Sequence, residues 1–330
     1  MRRLALVLVV LLVLTVSPAR AATVRRIAGP DRYATAAAIG QDRWNDVSDT
    51  FVANGSDPSD ALAAAFGAGL HGSPIFLTAR DAVPQTTLDA LRGVHARRVH
   101  VLGGSASVSD GVVATLRSAG YEVDRLAGAD RYGTAVAVAR SGGTAIIGSW
   151  GDQGRTALVA NGSRPFDALA AGPLAAGQLF PILLVQQGSV PKATSDGFRD
   201  LAIKHVVVLG GTGAISDDVV TSIKASGITV RRVAGADRME SAIAIAGLLE
   251  EFGYTPKRAS LVSATSFADS LGGGTWGAPD APVLLCQTAS FCGTATNKWA
   301  HTHALDQIIV MGGTNAVSDV AAMEVAGSTP

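Results

Sequence analysis

Cysteine, aromatic residues and long apolar segments are all scarce in this chain of 330 residues. Aromatic residues make up 5% and charged residues 16%, whereas alanine, valine and glycine are abundant. This composition is typical of an α/β protein and gives no sign of a disordered chain. The length exceeds one ordinary hydrophobic core, so two or three domains are expected.

The longest apolar run, residues 4–16, is too short for the roughly 20 residues that span a bilayer. It follows Arg2 and Arg3 and precedes the small residues Ala19 and Ala21, a pattern typical of a leader cleaved after Ala21. We therefore predict a signal peptide over residues 1–21 and a secreted protein without a membrane span.

Neither sign of charge dominates, since the chain has 27 basic and 27 acidic residues. Removal of the predicted leader with its three arginines leaves 24 basic residues and a slight acidic excess. We therefore expect no nucleic-acid partner.

The two cysteines, Cys286 and Cys292, lie six positions apart in the sequence. In an exported chain, such a pair favours a short-loop disulfide. A zinc site that also uses His301 and His303 is the alternative, because cysteine and imidazole are the usual zinc ligands. The C-x5-C spacing fits common zinc patterns poorly, so we predict a disulfide and no metal.

Three motifs recur in step along the chain, which reveals three copies of one module. The motif G-x-D-R-[YM] has its aspartate at Asp31, Asp130 and Asp237. The motif A-N-G-S-x-x-x-D-A-L starts at Ala53 and Ala160 and returns in looser form from Ser263. A Gly-Gly turn followed by Ser-Asp begins at Gly103, Gly210 and Gly312. The predicted modules are residues 22–123, 124–230 and 231–330.

Within each module, β-branched runs alternate with alanine-rich stretches, which indicates parallel strands with crossover helices on both faces. Ser109, Ser216 and Ser318 are expected N-caps. In the second module we predict strands over residues 156–159, 182–185, 205–209 and 229–233, and helices starting near Asp130, Asp167, Pro191 and Ser216.

The third module lacks an equivalent of the strand at residues 229–233, while residues 24–29 form a leading strand with no module before it. One hypothesis is that this strand docks on module three and closes a pseudo-threefold ring, which removes an open sheet edge. The alternative is a loose row of modules with a frayed N-terminus.

These motifs together resemble the cell wall-binding repeat of type 2, and the likeness spans nearly all of residues 24–326. The resemblance implies three tandem Rossmann-like or toprim-like modules packed as a pseudo-trimer. It also implies noncovalent attachment to an anionic secondary polymer of the bacterial cell wall. Members of this family often carry a hydrolase beside the triplet. Because the repeats use up this chain, we expect no such domain in it.

The repeated Asp-Arg pair is the main candidate for a binding site. The aspartate can cap the helix that follows, which leaves the arginine near a helix end suited to anions. Alternatively, each arginine forms an ion pair across a module interface. The residues that we predict to bind ligand are Arg32, Arg131, Arg238, Asp60, Asp167, Asp269, Asn54 and Asn161.

Other polar residues have simpler interpretations. Asp60, Asp167 and Asp269 are expected to cap helices or to pair with those arginines, since acid/base catalysis needs a second placed carboxylate. The Gly-Gly turns are expected to be tight turns, or to offer backbone amides to a phosphate; they lack nucleotide-binding motifs, so we expect no cofactor. The charged stretch at residues 92–100, with His95 and His100, is expected to be a solvated helix end.

We therefore expect a protein of the cell wall or cell surface that binds an anionic wall glycopolymer and catalyses no reaction. A wall-associated, amidase-like hydrolase or its regulator is one alternative, and a scaffold for another surface protein is a second. In the third module Ser263 to Ser266 replace Ala-Asn-Gly-Ser, so we expect that module to contribute least to binding.

Overall fold

In the computed structural model, which describes residues 21–265 and 274–328, short strands alternate with helices. The strands are β1 (Thr23–Ile27), β2 (Asp49–Asn54), β3 (Ile75–Thr78), β4 (Arg98–Leu102), β5 (Glu122–Leu126), β6 (Thr156–Asn161), β7 (Ile182–Val185), β8 (His205–Leu209), β9 (Thr229–Val233), β10 (Arg258–Ser263), β11 (Val283–Cys286) and β12 (Gln307–Met311).

The helices follow the strands in the same alternation. They are α1 (Arg32–Arg43), α2 (Pro58–His71), α3 (Gln85–Gly93), α4 (Asp110–Ser118), α5 (Arg131–Ser141), α6 (Gly172–Gln178), α7 (Lys192–Asp200), α8 (Asp217–Ala225), α9 (Arg238–Glu251), α10 (Thr294–Thr302) and α11 (Asp319–Val325). Residues 1–20 of the predicted signal peptide, and Asp269 of the predicted site, lie outside the described residues.

The strands form three four-stranded sheets in which every pair is parallel. Their orders are β3-β2-β4-β5, β7-β6-β8-β9 and β11-β10-β12-β1. The three sheets repeat one strand order, which confirms the predicted α/β class of three similar modules. Below, modules one, two and three are named after these sheets.

The predicted strands of module two are all present, and β6 extends two residues further, to Asn161. The helix expected near Asp167 is different, because a 3₁₀ segment at Pro165–Ala171 precedes the short helix α6. Pro173 lacks a backbone N–H and cannot complete the α-helical hydrogen bond to Leu169, so regular α-helix cannot run continuously through this point.

The first strand belongs to the last sheet. β1 pairs with β12 from Thr23 opposite Gln307 to Ile27 opposite Met311. It takes the edge position that β5 and β9 hold in the first two sheets. This confirms the hypothesis that the N-terminal strand docks on module three, and it leaves β12 paired on both sides.

Small residues let the helices approach closely where modules meet. A Cβ on Gly69 of α2 would lie 2.4 Å from the Cα of Ala176 in α6, and one on Gly172 would lie 2.6 Å from the Cα of Gly274. One buried apolar cluster contains side chains from all three sheets, among them Ile27, Leu158 and Val262. The described helices include none that is long and apolar enough to cross a membrane.

Candidate functional site

The three repeated aspartates are helix N-caps, as predicted. Each carboxylate accepts a hydrogen bond of 2.8 Å from a backbone N–H in the first turn of its helix. Such a cap satisfies one of the unpaired donors at a helix start. The three capping residues are Asp31, Asp130 and Asp237.

The arginine that follows each of these aspartates donates to a backbone oxygen just after β2, β6 or β10. Arg32 donates to Gly55 O at 2.6 Å. Arg131 donates to Gly162 O and Arg238 to Ala264 O, both at 2.7 Å. Each arginine therefore fixes the turn that follows the second strand.

Arg131 also reaches across the interface between modules one and two. Its guanidinium forms an ion pair with Asp57 at 3.3 Å and donates to Ser59 Oγ at 3.0 Å. The interface alternative for this arginine is thus observed. At the next interface, Arg238 lies 5.1 Å from the ring centroid of Phe166, which takes the place of Ser59 in module two.

A groove with a volume of about 330 Å³ opens where modules one and two meet. It lies at the carboxyl ends of β2 and β4, beside the N-terminus of α5. Ligands of open parallel sheets commonly bind at such an edge. The groove is lined by Asn54, Asp57, Asp60, Gly104, Ala106, Ser107, Gly128, Ala129, Asp130, Arg131 and Thr134. It thereby brings together three of the predicted residues, Asn54, Asp60 and Arg131.

Asp60 is buried in the wall of this groove, with 6% of its surface exposed. Its Oδ2 accepts a hydrogen bond from Ser107 Oγ at 3.1 Å. Burial raises the pKa of the Asp60 carboxyl above its ordinary value, and the charge of Asp57 adds to the rise, while Ser107 and Arg131 act against it. The equivalent Asp167 shows the same direction, because burial raises its pKa against the opposing charge of Arg238.

Of the two expectations for Asp60 and Asp167, helix capping is wrong, whereas the second is consistent with the charges of Arg131 and Arg238, which act on these two carboxylates. The cap of α2 is Asp57, whose carboxylate accepts from Ser59 N at 2.9 Å, and Asp60 lies inside the first turn. At the 3₁₀ segment the capping position is Arg164. Because Asx caps are placed by backbone geometry and not by residue type alone, two nearby aspartates cannot be told apart from spacing.

The two asparagines, which end β2 and β6, connect these strands to the Gly-Gly turns by hydrogen bonds. Asn54 Nδ2 donates to Ser107 O and Asn161 Nδ2 to Ala214 O, both at 2.6 Å. In module three, Ser263 stands at this position, since it ends β10 as Asn54 ends β2, and its Oγ accepts from Thr265 N at 3.2 Å. The motif in module three is therefore shifted by one residue from the alignment that placed Ala264 opposite asparagine.

The Gly-Gly turns are tight turns in a backbone region that favours glycine. The φ angles are +88° at Gly103, +105° at Gly210 and +113° at Gly312. The second glycine of the first turn, Gly104, lines the groove, and a Cβ built on it would meet no atom within 4 Å. A side chain at this position would therefore project into open space.

A second series of arginines, which the sequence interpretation missed, fastens each edge strand to its module. Arg125 donates to Gly103 O and Val108 O and pairs with Asp110 at 2.9 Å. The signal was present in the sequence, because each of these arginines is the first residue of the repeated motif R-[ILV]-A-G-x-D-R. The series consists of Arg26, Arg125 and Arg232.

The stretch expected to be a solvated helix end contains a buried residue. Helix α3 ends at Gly93, and His100 lies in β4 with 7% of its surface exposed. Its ring nitrogens contact Asp124 at 2.7 Å and Asp49 at 3.1 Å. Burial opposes the charged ring, but these two carboxylates outweigh it and hold the pKa of His100 above its ordinary value.

Cys286 and Cys292 form the predicted disulfide. Their sulfurs are bonded to each other, so they are not available as zinc ligands. His301 and His303 have other partners, Glu324 O and the Glu250 carboxylate. Within residues 21–265 and 274–328, no group of three or more histidine, cysteine or acidic residues is arranged to hold a metal ion.

Comparison with known proteins gives one consistent family. Residues 26–113, 125–220 and 232–322 each match the family described as Cell wall binding domain 2 (CWB2). The N-acetylmuramoyl-L-alanine amidase LytC of Bacillus subtilis (strain 168) is 29% identical over 296 residues, which cover 90% of this chain and 56% of the amidase. The protein named Amidase enhancer from the same strain is 28% identical over 296 residues, covering 89% of this chain and 39% of that protein.

Two solved structures share the fold. Cwp6 from Clostridium difficile has a TM-score of 0.78 at 22% identity and covers 94% of this chain, and Cwp8 has a TM-score of 0.78 at 20% identity and covers 92%. The chain spans 49% and 51% of these two structures and about half the length of the curated relatives. Because the family match covers all three modules, this chain belongs to the Cell wall binding domain 2 family.

Proposed function

We propose that this protein attaches noncovalently to a glycopolymer of the bacterial cell wall and that the groove between modules one and two holds sugar residues of that polymer. Membership of a wall-binding family supports the attachment. The main support for this binding site is the groove itself, which is surrounded by the buried Asp60, Ser107 and the helix caps Asp57 and Asp130.

The groove has the chemistry of a hydroxyl-binding site. Ionised carboxylates only accept hydrogen bonds, and a serine hydroxyl both donates and accepts. Asp57, Asp60 and Asp130 therefore offer acceptors for sugar hydroxyls beside the hydroxyl of Ser107. These three carboxylates outnumber the one guanidinium of Arg131, whose charge is already paired with Asp57. This balance favours hydroxyl groups of the polymer over its anionic groups in this groove.

The remaining predicted residues have a part in the same proposal. Asn54 positions the turn that borders the groove, Asn161 positions the equivalent turn of module two, and Asp167 is the partly buried equivalent of Asp60. Arg164 and Phe166 replace Asp57 and Ser59 at the second interface, so we propose that the two interfaces contribute unequally to binding. Modules that pack on each other as one unit let several weak contacts act together.

The wider setting belongs to the same proposal. We propose that residues 1–21 direct secretion and that the protein resides at the wall or cell surface. The predicted boundaries at residues 123 and 230 fall inside β5 and β9, so we propose that the modules divide just after these two strands. The triplet itself is proposed to bind and not to catalyse. The amidase-like alternative is supported by the name of one relative, an amidase, 56% of whose length this chain matches.

Blocking the groove tests the proposed site. Gly104→Trp places a large side chain in open space at the groove wall, so the protein should fold normally and lose wall binding. Gly188→Trp is the matched control, because Gly188 is exposed in the loop after β7 and also has no neighbour within 4 Å of a built Cβ. Binding is measured by co-sedimentation with purified walls, before and after extraction of the secondary polymer.

A fall of at least fivefold in bound Gly104→Trp, with Gly188→Trp unchanged, supports the groove. Equal binding of both variants contradicts it, and undiminished binding to extracted walls contradicts a polymer ligand. Zymography on peptidoglycan with the same preparations tests the hydrolase alternative directly.

A further inference from the structure

A second cavity, with a volume of about 440 Å³, opens where module three meets module one. It is lined by Arg25, Asp42, Arg43, Arg258 and Trp276. Arg258 is the first residue of β10, so the cavity lies at the amino ends of strands, whereas the proposed sugar groove lies at the carboxyl ends. None of its residues belongs to the repeated motifs.

One of the three guanidinium groups, that of Arg43, has no carboxylate partner among the described residues, so the cavity keeps a net positive charge. Arg25 forms a two-pronged ion pair with Asp42 at 2.5 and 2.8 Å, which balances its charge. Arg43 instead donates to the backbone oxygens of Thr275, Trp276 and Ala278. Within the described part of the chain, it forms no ion pair with a carboxylate, so carbonyl dipoles hold it in place without neutralising it.

Arg258 is the second cation beside the opening. Its side chain is 44% exposed and pairs with Asp280 at 3.4 Å, so three arginines face the two carboxylates of Asp42 and Asp280. Burial lowers the pKa of Arg43, and the positive charge of Arg258 lowers it further, while the charge of Asp280 offsets part of this repulsion. An anion between them would relieve this repulsion.

Trp276 provides a rigid apolar wall between the charges. Its indole N–H donates to Asp42 Oδ2 at 2.8 Å, and the guanidinium groups of Arg25 and Arg258 lie 5.9 and 5.6 Å from its ring. The ring, Arg25 and Arg43 are therefore held by protein contacts before any ligand arrives. A preorganised site loses less conformational freedom on binding.

We infer that this cavity binds an anionic sugar unit, with the phosphate or carboxylate of the sugar between Arg43 and Arg258. The site has the opposite charge balance from the groove between modules one and two. A polymer that carries both hydroxyl-rich and anionic groups could use the two sites together, which extends the proposed function. The charge argument itself does not depend on the groove.

The test uses the purified chain and small probes, without cell walls. Binding of glucose 1-phosphate, glucuronic acid and glucose is followed at low salt by calorimetry or by NMR chemical-shift changes. Glucose 1-phosphate is expected to bind saturably and to weaken as salt rises, whereas neutral glucose is not. The ratio of the dissociation constants of glucose 1-phosphate and glucuronic acid identifies which anion the site prefers.

Arg258→Gln should weaken binding of glucose 1-phosphate at least tenfold. Arg98→Gln is the matched control, because Arg98 also begins a strand and pairs with a carboxylate, Glu122, but lies outside the cavity. No saturable binding of either anionic probe, or equal binding by the two variants, would overturn the inference. Gly104→Trp should still bind the probe, so failure of the proposed groove and failure of this site are distinguishable.

Discussion

Arg26 and Asp319, which are 293 positions apart in the sequence, form an ion pair at 2.7 Å. The same guanidinium donates to Gly312 O at 2.7 Å and to Val317 O at 2.8 Å. Arg125 and Arg232 make the corresponding contacts within their own modules. The third module is therefore completed by the first strand of the chain.

Loss of this contact should destabilise the fold. Arg26→Gln is expected to lower the free energy of unfolding by about 2 kcal/mol, because it removes charge-assisted hydrogen bonds to partly buried carbonyls. Deletion of residues 22–28 should lower the melting temperature further, since it also exposes one edge of β12. Denaturant unfolding measures both.

Arg92→Gln serves as the control for Arg26→Gln, because Arg92 only forms an exposed ion pair with Asp89 in the same helix. Exposed pairs of this kind contribute at most about 0.5 kcal/mol. An unchanged melting temperature after deletion of residues 22–28 would refute the structural role of β1.

Close packing between modules predicts a second stability effect. Gly69→Ala should destabilise the protein by about 1–3 kcal/mol, because its Cβ would overlap the backbone of Ala176. Gly247→Ala, also within a helix, meets no atom within 4 Å and should stabilise by up to about 1 kcal/mol. Thermal unfolding of the two variants would show opposite shifts. Shifts of the same sign would contradict the contact between α2 and α6.

His100 should make stability depend on pH. Its pKa is raised in the folded protein, so its contribution is fully present below the unfolded value of about 6.5 and is lost as the pH rises through the folded pKa. The deficit of His100→Gln relative to the unaltered protein should therefore shrink from pH 6 toward pH 9.

Two other histidines change the stability with pH in the opposite direction. The effect of His100 must therefore be measured as the difference in stability between His100→Gln and the unaltered protein at each pH. Burial lowers the pKa of His71, which neighbours Asp49 and His100, and burial also lowers that of His205, with the charge of Arg231 adding to the effect. These groups favour the folded state at higher pH. A deficit of His100→Gln that stays constant or grows with pH would show that the carboxylates of Asp49 and Asp124 do not hold its proton.

The repeated arginines predict a combined loss of stability and binding. Changing Arg32, Arg131 and Arg238 together to glutamine should release the protein from walls and also lower its melting temperature, because each one fixes a turn and Arg131 joins two modules. Gly104→Trp should reduce binding alone. A folded triple variant that binds walls fully would show that these arginines are dispensable.

The sequence by itself determined the number of modules, their parallel α/β class and the helix caps at Asp31, Asp130 and Asp237. These features depend on local patterns: apolar strand runs, Asp and Ser caps and glycine turns recur at fixed spacing and act within one module. The missing strand in module three and the spare strand at the N-terminus also suggested that β1 docks on module three, because an unpaired sheet edge is costly, but the partner strand β12 came from the structure.

Only the tertiary structure decided which segments far apart in sequence meet. The pairing of Arg131 with Asp57, the burial of His100 between two carboxylates and the cavity beside Trp276 all join segments far apart in sequence. Their partners depend on how helices pack and on which residues lose water, and no short spacing encodes that. The sequence therefore predicted three of the groove residues, while the charge balance of the groove follows from neighbours that packing supplies.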